Sequence, residues 1–376
     1  MTHTRARSLP LVDLSYVGAA VEREVLADVA AIIASGEFTN GPHVERFEQA
    51  FAAYCRARQC VGTSSGLDAL RLALIAAGAE PGDEVIVPAQ TFIATFEAVS
   101  QAGATPVVAD VSERDYTLDP DAAAAAVGRR TRWILPVHLF GQMADMRRVR
   151  EVSARCGLAI VEDACQAHGA TRDDHRPGDA AAAAAFSFYP TKNLGALGDA
   201  GALVTDDPAV AASARSLRQH GERERYVSER IGYTARLDTL QAAVLLRKLP
   251  LLDGWNQTRR EVAARYTAAL EGVGDIRCPP VPAGSRPVWH LYPVRTADAE
   301  GLRAFLAGRG IQTGRHYAQP PHLSPAYAGL GHRPGAFPVA ESLAAELVSL
   351  PIFPGIAEEQ LERVTDSVRR YFDRGH

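Results

Sequence analysis

The chain lacks any apolar run of the roughly 18 to 20 residues that a membrane-spanning helix requires. Its start, residues 1–10, also lacks the apolar core of a secretory signal peptide. Charge of one sign is not in excess, because 40 basic residues stand against 44 acidic ones and the net charge is -4. We therefore predict a cytoplasmic protein with no membrane partner and without the broad basic surface that binds nucleic acid.

Cysteine is scarce, with five residues and no CxxC pair. An odd number argues against a disulfide framework, and the missing CxxC pair argues against a cysteine-based zinc site. The 11 histidines contain no pair at metal-binding spacing. The sequence therefore predicts reduced, mostly buried thiols and no metal.

Lysine is scarcer still, because only Lys192 and Lys248 are lysines among the 40 basic residues. Arginine keeps its proton and cannot form an imine, so a lysine kept in such a chain indicates a need for an amine that can lose its proton. We assign that need to Lys192. Lys248 ends an apolar helical stretch, where a charged side chain is routine, and we interpret its lysine as chance.

Short apolar runs alternate with helical periodicity between Cys60 and Thr205, which favours a mostly parallel sheet covered by helices on both faces. After Pro250 the chain becomes proline-rich, with isolated strand and helix signals. The predicted fold class is α/β, with a large domain over 1–250 that includes N-terminal helices, and a smaller α+β domain over 251–376. The predicted strands cover residues 84–87, 105–109, 133–137, 158–162, 184–188 and 202–205.

Three motifs follow strand ends in this pattern. Ser65 and Gly66 open an amphipathic helix, where free N–H groups and hydroxyls can hold a phosphate, although a simple helix cap is the alternative. Asp163 follows a buried strand, either as a ligand partner or in a cap or ion pair. Lys192 follows a later strand within a glycine-rich segment.

Together these motifs match the needs of pyridoxal phosphate, which requires a phosphate anchor, a partner for its ring nitrogen and an imine-forming amine. Phe92, at another strand end, can lie against the cofactor ring or belong to the core. His316, Tyr317 and His322, in a proline-rich loop, are candidate contacts for a hydroxyl-rich, anionic substrate, or else simply pack in that loop.

Nearly the whole chain resembles the DegT/DnrJ/EryC1/StrS sugar aminotransferases, which are pyridoxal-phosphate enzymes of fold type I. The segments that carry the resemblance are residues 35–48, 64–70, 88–92, 136–142, 162–169, 186–201, 236–243, 316–322 and 348–354.

The resemblance implies a role for each matching position. Lys192 is the imine-forming lysine, Asp163 the partner of the pyridinium nitrogen, Gln166 the neighbour of the ring hydroxyl and Phe92 the stacking aromatic. The implied phosphate contacts are Ser65, Gly66 and Ser187, with Thr234 reaching the partner's phosphate where many relatives have asparagine.

The same resemblance implies a homodimer whose active sites are built from both chains. It also implies a ping-pong transfer of an amino group from glutamate or glutamine to a nucleotide-linked keto-deoxysugar, usually a dTDP sugar. The loop at residues 316–322 favours a C3 ketone, and a C4 ketone, including that of a pentose, stays open.

The sequence supports three alternatives to transamination less well. Sugar dehydratases of the same fold carry histidine in place of the lysine, which Lys192 argues against. A cofactor-binding regulator without catalysis gains no support from an intact lysine, aspartate and serine set. A nicotinamide oxidoreductase requires a GxGxxG motif after a first strand, and the nearest candidate, at Gly308, follows a predicted helix.

Overall fold

The computed structural model describes residues 8–373, so residues 1–7 and 374–376 at the ends of the two predicted domains lie outside the described part. The strands have these bounds: β1 (Gln59–Thr63), β2 (Glu84–Pro88), β3 (Thr105–Ala109), β4 (Thr131–Ile134), β5 (Ala159–Asp163), β6 (Thr171–Arg172), β7 (Ala183–Ser187), β8 (Gly201–Thr205), β9 (Glu222–Glu224), β10 (Val227–Ser228), β11 (Ser285–Arg286), β12 (Tyr292–Arg295) and β13 (Leu347–Leu350).

The α-helices have these bounds: α1 (Ser15–Ala19), α2 (Glu22–Ser35), α3 (Pro42–Cys55), α4 (Gly66–Ala77), α5 (Ile93–Gln101), α6 (Pro120–Ala125), α7 (Met146–Cys156), α8 (Pro208–Arg218), α9 (Thr239–Lys248), α10 (Leu252–Leu270), α11 (Ala299–Gly308), α12 (Pro338–Glu346) and α13 (Glu358–Phe372). Short 3-10 helices cover Leu139–Gly141, Leu249–Leu251, Pro321–Leu323 and Pro325–Leu330. Within residues 8–373, no helix combines the length and the hydropathy that crossing a bilayer requires.

Seven strands form the main sheet, in the order β1-β8-β7-β5-β4-β2-β3. Strand β8 runs antiparallel to both of its neighbours, β1 and β7, and every other neighbouring pair in this sheet is parallel. The prediction of an α/β fold built on a large, mostly parallel sheet is therefore confirmed.

The sheet is covered on both faces, which explains why its strands read as continuous apolar runs. In β2, Val85 and Val87 pack into one hydrophobic cluster, and Ile86 between them packs into the other. Helices α4, α5 and α8 supply side chains to the first cluster, and α3, α7 and α9 to the second. The sheet therefore lies between two layers of helices.

A third hydrophobic cluster joins α10, α11 and α13 to the β12–β13 pair near the end of the chain. Leu9 belongs to this cluster, and its backbone N–H donates to the Gly310 carbonyl at 2.8 Å. The N-terminal segment thus packs on the C-terminal part of the chain. The division at residue 250 stays a prediction.

Candidate active site

A cavity of about 510 Å³ opens at the carboxyl ends of β5 and β7, beside the first turns of α4 and α5. This is the edge at which open α/β sheets bind their ligands. The cavity brings together most of the predicted site residues, namely Ser65, Gly66, Phe92, Asp163, Gln166, Ser187, Lys192, His316 and Tyr317.

The start of α4 forms one wall of this cavity. Ser65 is the N-cap residue, and its hydroxyl accepts the Asp68 N–H at 3.0 Å, so the capping interpretation is correct within this chain. A Cβ atom on Gly66 would lie 2.5 Å from Ser187 Cβ, and only glycine allows the helix to start so close to β7. The hydroxyls of Ser65 and Ser187 therefore lie at a helix N-terminus, where unpaired N–H groups and the helix dipole attract an anion.

Asp163 ends β5 with its carboxylate at the cavity. One oxygen, Oδ2, accepts the Thr95 hydroxyl at 2.8 Å, and Oδ1 accepts the Cys165 N–H at 3.1 Å. No ion pair within residues 8–373 involves Asp163, so the ion-pair alternative is excluded for the described part. Thr95 was missed from the sequence, although its place in the first turn after Phe92 was a usable signal.

Lys192 lies in a tight loop between β7 and β8, where its backbone N–H donates to the Tyr189 carbonyl at 2.8 Å. Its side chain lines the cavity. Burial lowers the pKa of Lys192 below the ordinary value of a lysine, while the nearby Cys165 and Asp163 act in the opposite direction. The site therefore favours the neutral amine more than water does.

Phe92 caps α5 with its side chain 51% exposed, so the core alternative for this ring is excluded. Its ring centroid lies 5.3 Å from that of Tyr317. Gln166 links the same wall to the backbone, because its Nε2 donates to the Tyr317 hydroxyl at 2.9 Å and its Oε1 accepts the Phe140 N–H at 2.6 Å. An aromatic face and an amide thus border the cavity on one side.

Two histidines also line the cavity. His316 lies with Nδ1 2.8 Å from Ser349 Oγ, and burial lowers its pKa to about 4. Burial also lowers the pKa of His290 well below its ordinary value, and its Nδ1 has no hydrogen-bond partner in the described part of the chain. His290 is not among the site residues predicted from the sequence, and no motif around it indicates the cavity.

Two predicted residues are not brought to this cavity. Thr234 is exposed, with Oγ1 3.5 Å from His220 Nε2. His322 is buried elsewhere, with Nε2 3.3 Å from Glu341 Oε1 and its ring packed against Phe337 at a centroid distance of 4.7 Å. The loop at residues 316–322 thus brings His316 and Tyr317 to the cavity and turns His322 away, whereas Thr234 was predicted at the partner's phosphate and that prediction stays open.

The donor set of the cavity fits pyridoxal phosphate. A helix N-terminus with two hydroxyls suits its phosphate, a carboxylate held by two hydrogen bonds suits a protonated ring nitrogen, and an amine with a lowered pKa suits its aldehyde. Among residues 8–373 no group of three metal-ligating side chains occurs. The fold and the cavity define a fold type I pyridoxal-phosphate enzyme.

Comparison with known proteins gives the family. A model of the DegT/DnrJ/EryC1/StrS aminotransferase family matches residues 20–369. A dTDP-3-amino-3,4,6-trideoxy-alpha-D-glucose transaminase from Streptomyces venezuelae is 48% identical over 366 residues, which are 97% of this chain and 97% of that protein. The chain belongs to the DegT/DnrJ/EryC1/StrS aminotransferase family.

Solved structures agree with this assignment. The crystal structure of S. venezuelae DesV in complex with a ketimine intermediate matches with a TM-score of 0.96 and 48% identity, covering 98% of this chain and 100% of that chain. The structure of NtdA from Bacillus subtilis with bound cofactor PMP has a TM-score of 0.91 and 30% identity, covering 99% of this chain and 87% of that chain. The chain is an aminotransferase with pyridoxal phosphate as its cofactor, and the predicted family, enzyme class and cofactor are confirmed.

Proposed function

We propose that this enzyme transfers an amino group from glutamate or glutamine to the C3 ketone of a dTDP-linked deoxysugar. The observation that carries the proposal is the single cavity that holds Lys192 and Asp163, in a chain 48% identical to a transaminase named for a dTDP-3-amino sugar. We also propose that the reaction takes place in the cytoplasm.

Each wall of the cavity receives one part of the cofactor in this proposal. Ser65, Gly66 and Ser187 bind the phosphate, because the α4 N-terminus and the two hydroxyls lie together. Asp163 binds the ring nitrogen through a carboxylate that Thr95 and the Cys165 N–H hold in place.

The other two assignments concern the ring itself. Gln166 donates an amide N–H towards the ring hydroxyl, since its side chain already lies on the cavity wall. Phe92 covers one face of the ring, because its half-exposed side chain lines the cavity and an aromatic contact of this kind adds roughly 0.5 to 1.5 kcal/mol.

When bound, pyridoxal phosphate supplies an aldehyde that takes up the amino group and a ring that accepts an electron pair. Lys192 carries the proton in this proposal. Because burial lowers the pKa of Lys192, its neutral Nζ can accept the proton from the α-carbon of the donor, and it later moves a proton in the reverse direction for the sugar. Asp163 keeps a proton on the ring nitrogen throughout, which favours electron withdrawal by the ring.

His316 and Tyr317 are proposed to contact the sugar or its diphosphate, because both line the cavity and offer uncharged hydrogen-bonding groups. His322 is not carried forward as a substrate contact, since it is enclosed beside Glu341.

We propose that two copies of the chain share each active site. Thr234 supports this, because its loop is exposed and does not turn towards the cavity of its own chain. The segment that precedes it exposes large apolar side chains, with Tyr226 82% and Ile231 91% exposed. Such side chains are typical of a surface that a partner covers. The proposed contact of Thr234 is the cofactor phosphate of the partner.

The test uses the purified protein with pyridoxal phosphate and either glutamate or glutamine. Matched dTDP-linked 3-keto and 4-keto sugars are supplied separately, and NMR locates the new nitrogen in each product. We expect nitrogen at C3 and no product from the 4-keto sugar. Nitrogen at C4, or no amino sugar from either substrate, would contradict the proposal, and a Lys192→Ala variant serves as the blank.

A further inference from the structure

The loop that carries Lys192 is closed on itself. The Ala196 N–H donates to the Phe188 carbonyl at 2.8 Å, which joins the two ends of the loop. A Cβ atom on Gly195 would lie 2.3 Å from the Pro190 carbonyl oxygen, so the chain folds back at this glycine without room for a side chain. The position of the Lys192 side chain therefore depends on how this loop is held against the rest of the protein.

One face of α9 holds the loop at two points. Gln241 Oε1 accepts the Leu197 N–H at 2.8 Å, and Lys248 Nζ donates to the Gly195 carbonyl at 2.8 Å. Gln241 and Lys248 are seven residues apart, or about two helical turns, so both lie on the same face of α9. Both lysines of the chain are therefore associated with one loop. Lys192 belongs to it, and Lys248 donates to its backbone from α9.

The surroundings of Lys248 differ from the expectation drawn from the sequence. Its side chain is only 3% exposed, so it is not a solvated charge at a helix end, and its presence as lysine requires another explanation. A small space lies beside it, lined also by Pro190, Lys192 and Gly195. The ammonium of a lysine is compact, whereas a guanidinium is planar and bulkier, so lysine suits a position that offers a single carbonyl acceptor.

The Gly195 carbonyl is the hydrogen-bond acceptor that the structure shows for Lys248. The charged residues Asp13 and Arg259 line the same small space, and Arg259 donates to the carbonyls of Trp289 and Ile352. Burial lowers the pKa of Lys248 to about 8, so the ammonium form predominates at neutral pH.

We propose that Lys248 is a positioning residue for Lys192, acting through the Gly195 carbonyl to fix the loop from which the Lys192 amine enters the cavity. This inference rests on the proposed role of Lys192. Loss of the ammonium leaves a buried carbonyl without its donor, and the loop then samples positions in which the Lys192 amine is misplaced. A displacement of about 1 Å at a reacting group is enough to slow its reaction roughly 100-fold.

The test compares Lys248→Met, which keeps the length of the side chain and removes the donor, with Arg247→Met as the matched control on the exposed side of α9. Each apoenzyme is mixed with pyridoxal phosphate and quenched with borohydride at increasing times. The Lys192 amine adds to the aldehyde carbon with loss of water, borohydride then delivers a hydride to that carbon, and peptide mapping counts the secondary amine at residue 192.

We expect the Lys248→Met apoenzyme to form the adduct roughly 10-fold to 100-fold more slowly than the Arg247→Met apoenzyme, although both are folded at the assay temperature. A purely structural role lowers the melting temperature and leaves this rate unchanged, so equal rates in the two folded variants overturn the inference. An absence of the adduct at residue 192 in the unmodified enzyme contradicts the proposed function instead.

If Lys248→Met does not fold, Lys248→Gln is measured in the same way, because its shorter side chain keeps an N–H donor but does not reach the carbonyl in the same position. A rate below that of Arg247→Met supports the inference, and an equal rate overturns it.

Discussion

The floor of the cavity and the segment that we propose to border the partner's cavity, termed the rim, are held in different ways. The floor, formed by residues 188–197, is fastened within the chain by Gln241 and Lys248 on α9, and by Asn193, which donates to Asn256 at 2.8 Å. The rim, formed by β9, β10 and the loop up to Thr234, is mostly exposed and is held by its own short hairpin and by bonds to α8, such as that from the Tyr233 N–H to the Leu217 carbonyl at 2.7 Å. One chain therefore completes the part that performs the chemistry, and under our proposal a second copy completes the part that encloses the substrate.

The largest expected effect on activity comes from removing the Lys192 amine at the floor of the cavity. Lys192→Ala removes both the imine-forming group and the proton carrier, so we expect transamination to fall by roughly 10⁴-fold or more while the apoenzyme stays folded. The measurement is the single-turnover rate with glutamate, followed by the visible absorbance of the cofactor. Turnover near that of the unmodified enzyme would contradict the assignment of Lys192.

A smaller loss of activity is expected when the carboxylate at the end of β5 is removed. Asp163→Ala removes the proposed partner of the ring nitrogen, and we expect cofactor binding to weaken and the proton-transfer step to slow by roughly 10² to 10³-fold. Stopped-flow kinetics with α-deuterated glutamate measure that step. An unchanged rate and an unchanged cofactor spectrum would mean that another acid faces the ring.

Stability provides a third comparison of the two regions. His138 Nε2 lies 2.8 Å from Oε2 of Glu162 in β5, the strand that ends at Asp163, and both side chains are fully buried. We expect His138→Ala to lower the free energy of unfolding by roughly 3 to 5 kcal/mol, because the Gly178 N–H is then the one remaining hydrogen bond that the structure shows for the buried Glu162 carboxyl group.

The matched change at the rim is Glu229→Gln, which breaks the exposed Arg223–Glu229 ion pair. We expect it to lower the free energy of unfolding by less than about 1 kcal/mol. Chemical denaturation of both apoenzymes makes the comparison, and similar losses in the two variants would show that floor and rim do not differ in this respect.

The pH dependence of stability tests the burial of Lys248. Its pKa is about 8 in the folded protein and about 10.4 in an unfolded chain. Between these pH values the unfolded state binds more protons, so the contribution of Lys248 to the free energy of unfolding rises with pH, by about 3 kcal/mol in total.

Lys248→Met lacks this contribution. The difference in the free energy of unfolding between the unmodified enzyme and Lys248→Met should therefore grow in favour of the unmodified enzyme from pH 8 to pH 10. Urea denaturation at several pH values measures it. A difference that stays constant across this window would show that the pKa of Lys248 is the same in the folded and unfolded states.

The smallest expected effect on the stability of a single chain comes from a substitution at the rim. Ile231→Ser replaces a side chain that is almost fully exposed, and we expect the free energy of unfolding of the isolated chain to change by no more than about 0.5 kcal/mol. Sedimentation velocity of the same variant measures assembly. Dissociation into single chains supports a partner surface at the rim, and an unchanged assembly state argues against one there.

The sequence was a good guide where local patterns record burial. The run at 105–109 coincides with β3, and the run at 184–188 lies within one residue of β7. The run at 133–137 is displaced from β4, which covers Thr131–Ile134, and the run continues past the strand because Pro136 has no N–H for the ladder. The reversed direction of β8 is not encoded in its apolar run, since periodicity records which faces are buried and not the direction of a strand.

The site residues likewise divide into those whose positions the sequence predicted and those whose positions it did not. Ser65, Asp163 and Lys192 follow strands whose ends meet at one edge, so their grouping could be expected from the order of elements. The places of His290, His322 and Lys248 depend on how distant segments pack against one another, and no short motif carries that information. The roles of the individual residues stay proposals.

Because both lysines face inward, the outer surface of the described protein presents almost no primary amines. Acylating reagents and aldehyde-coated supports, which attach most proteins at many places, therefore have few alternatives to the residue at the bottom of the cavity. The extent of such labelling, measured with and without the cofactor, reports directly on whether the cavity is occupied.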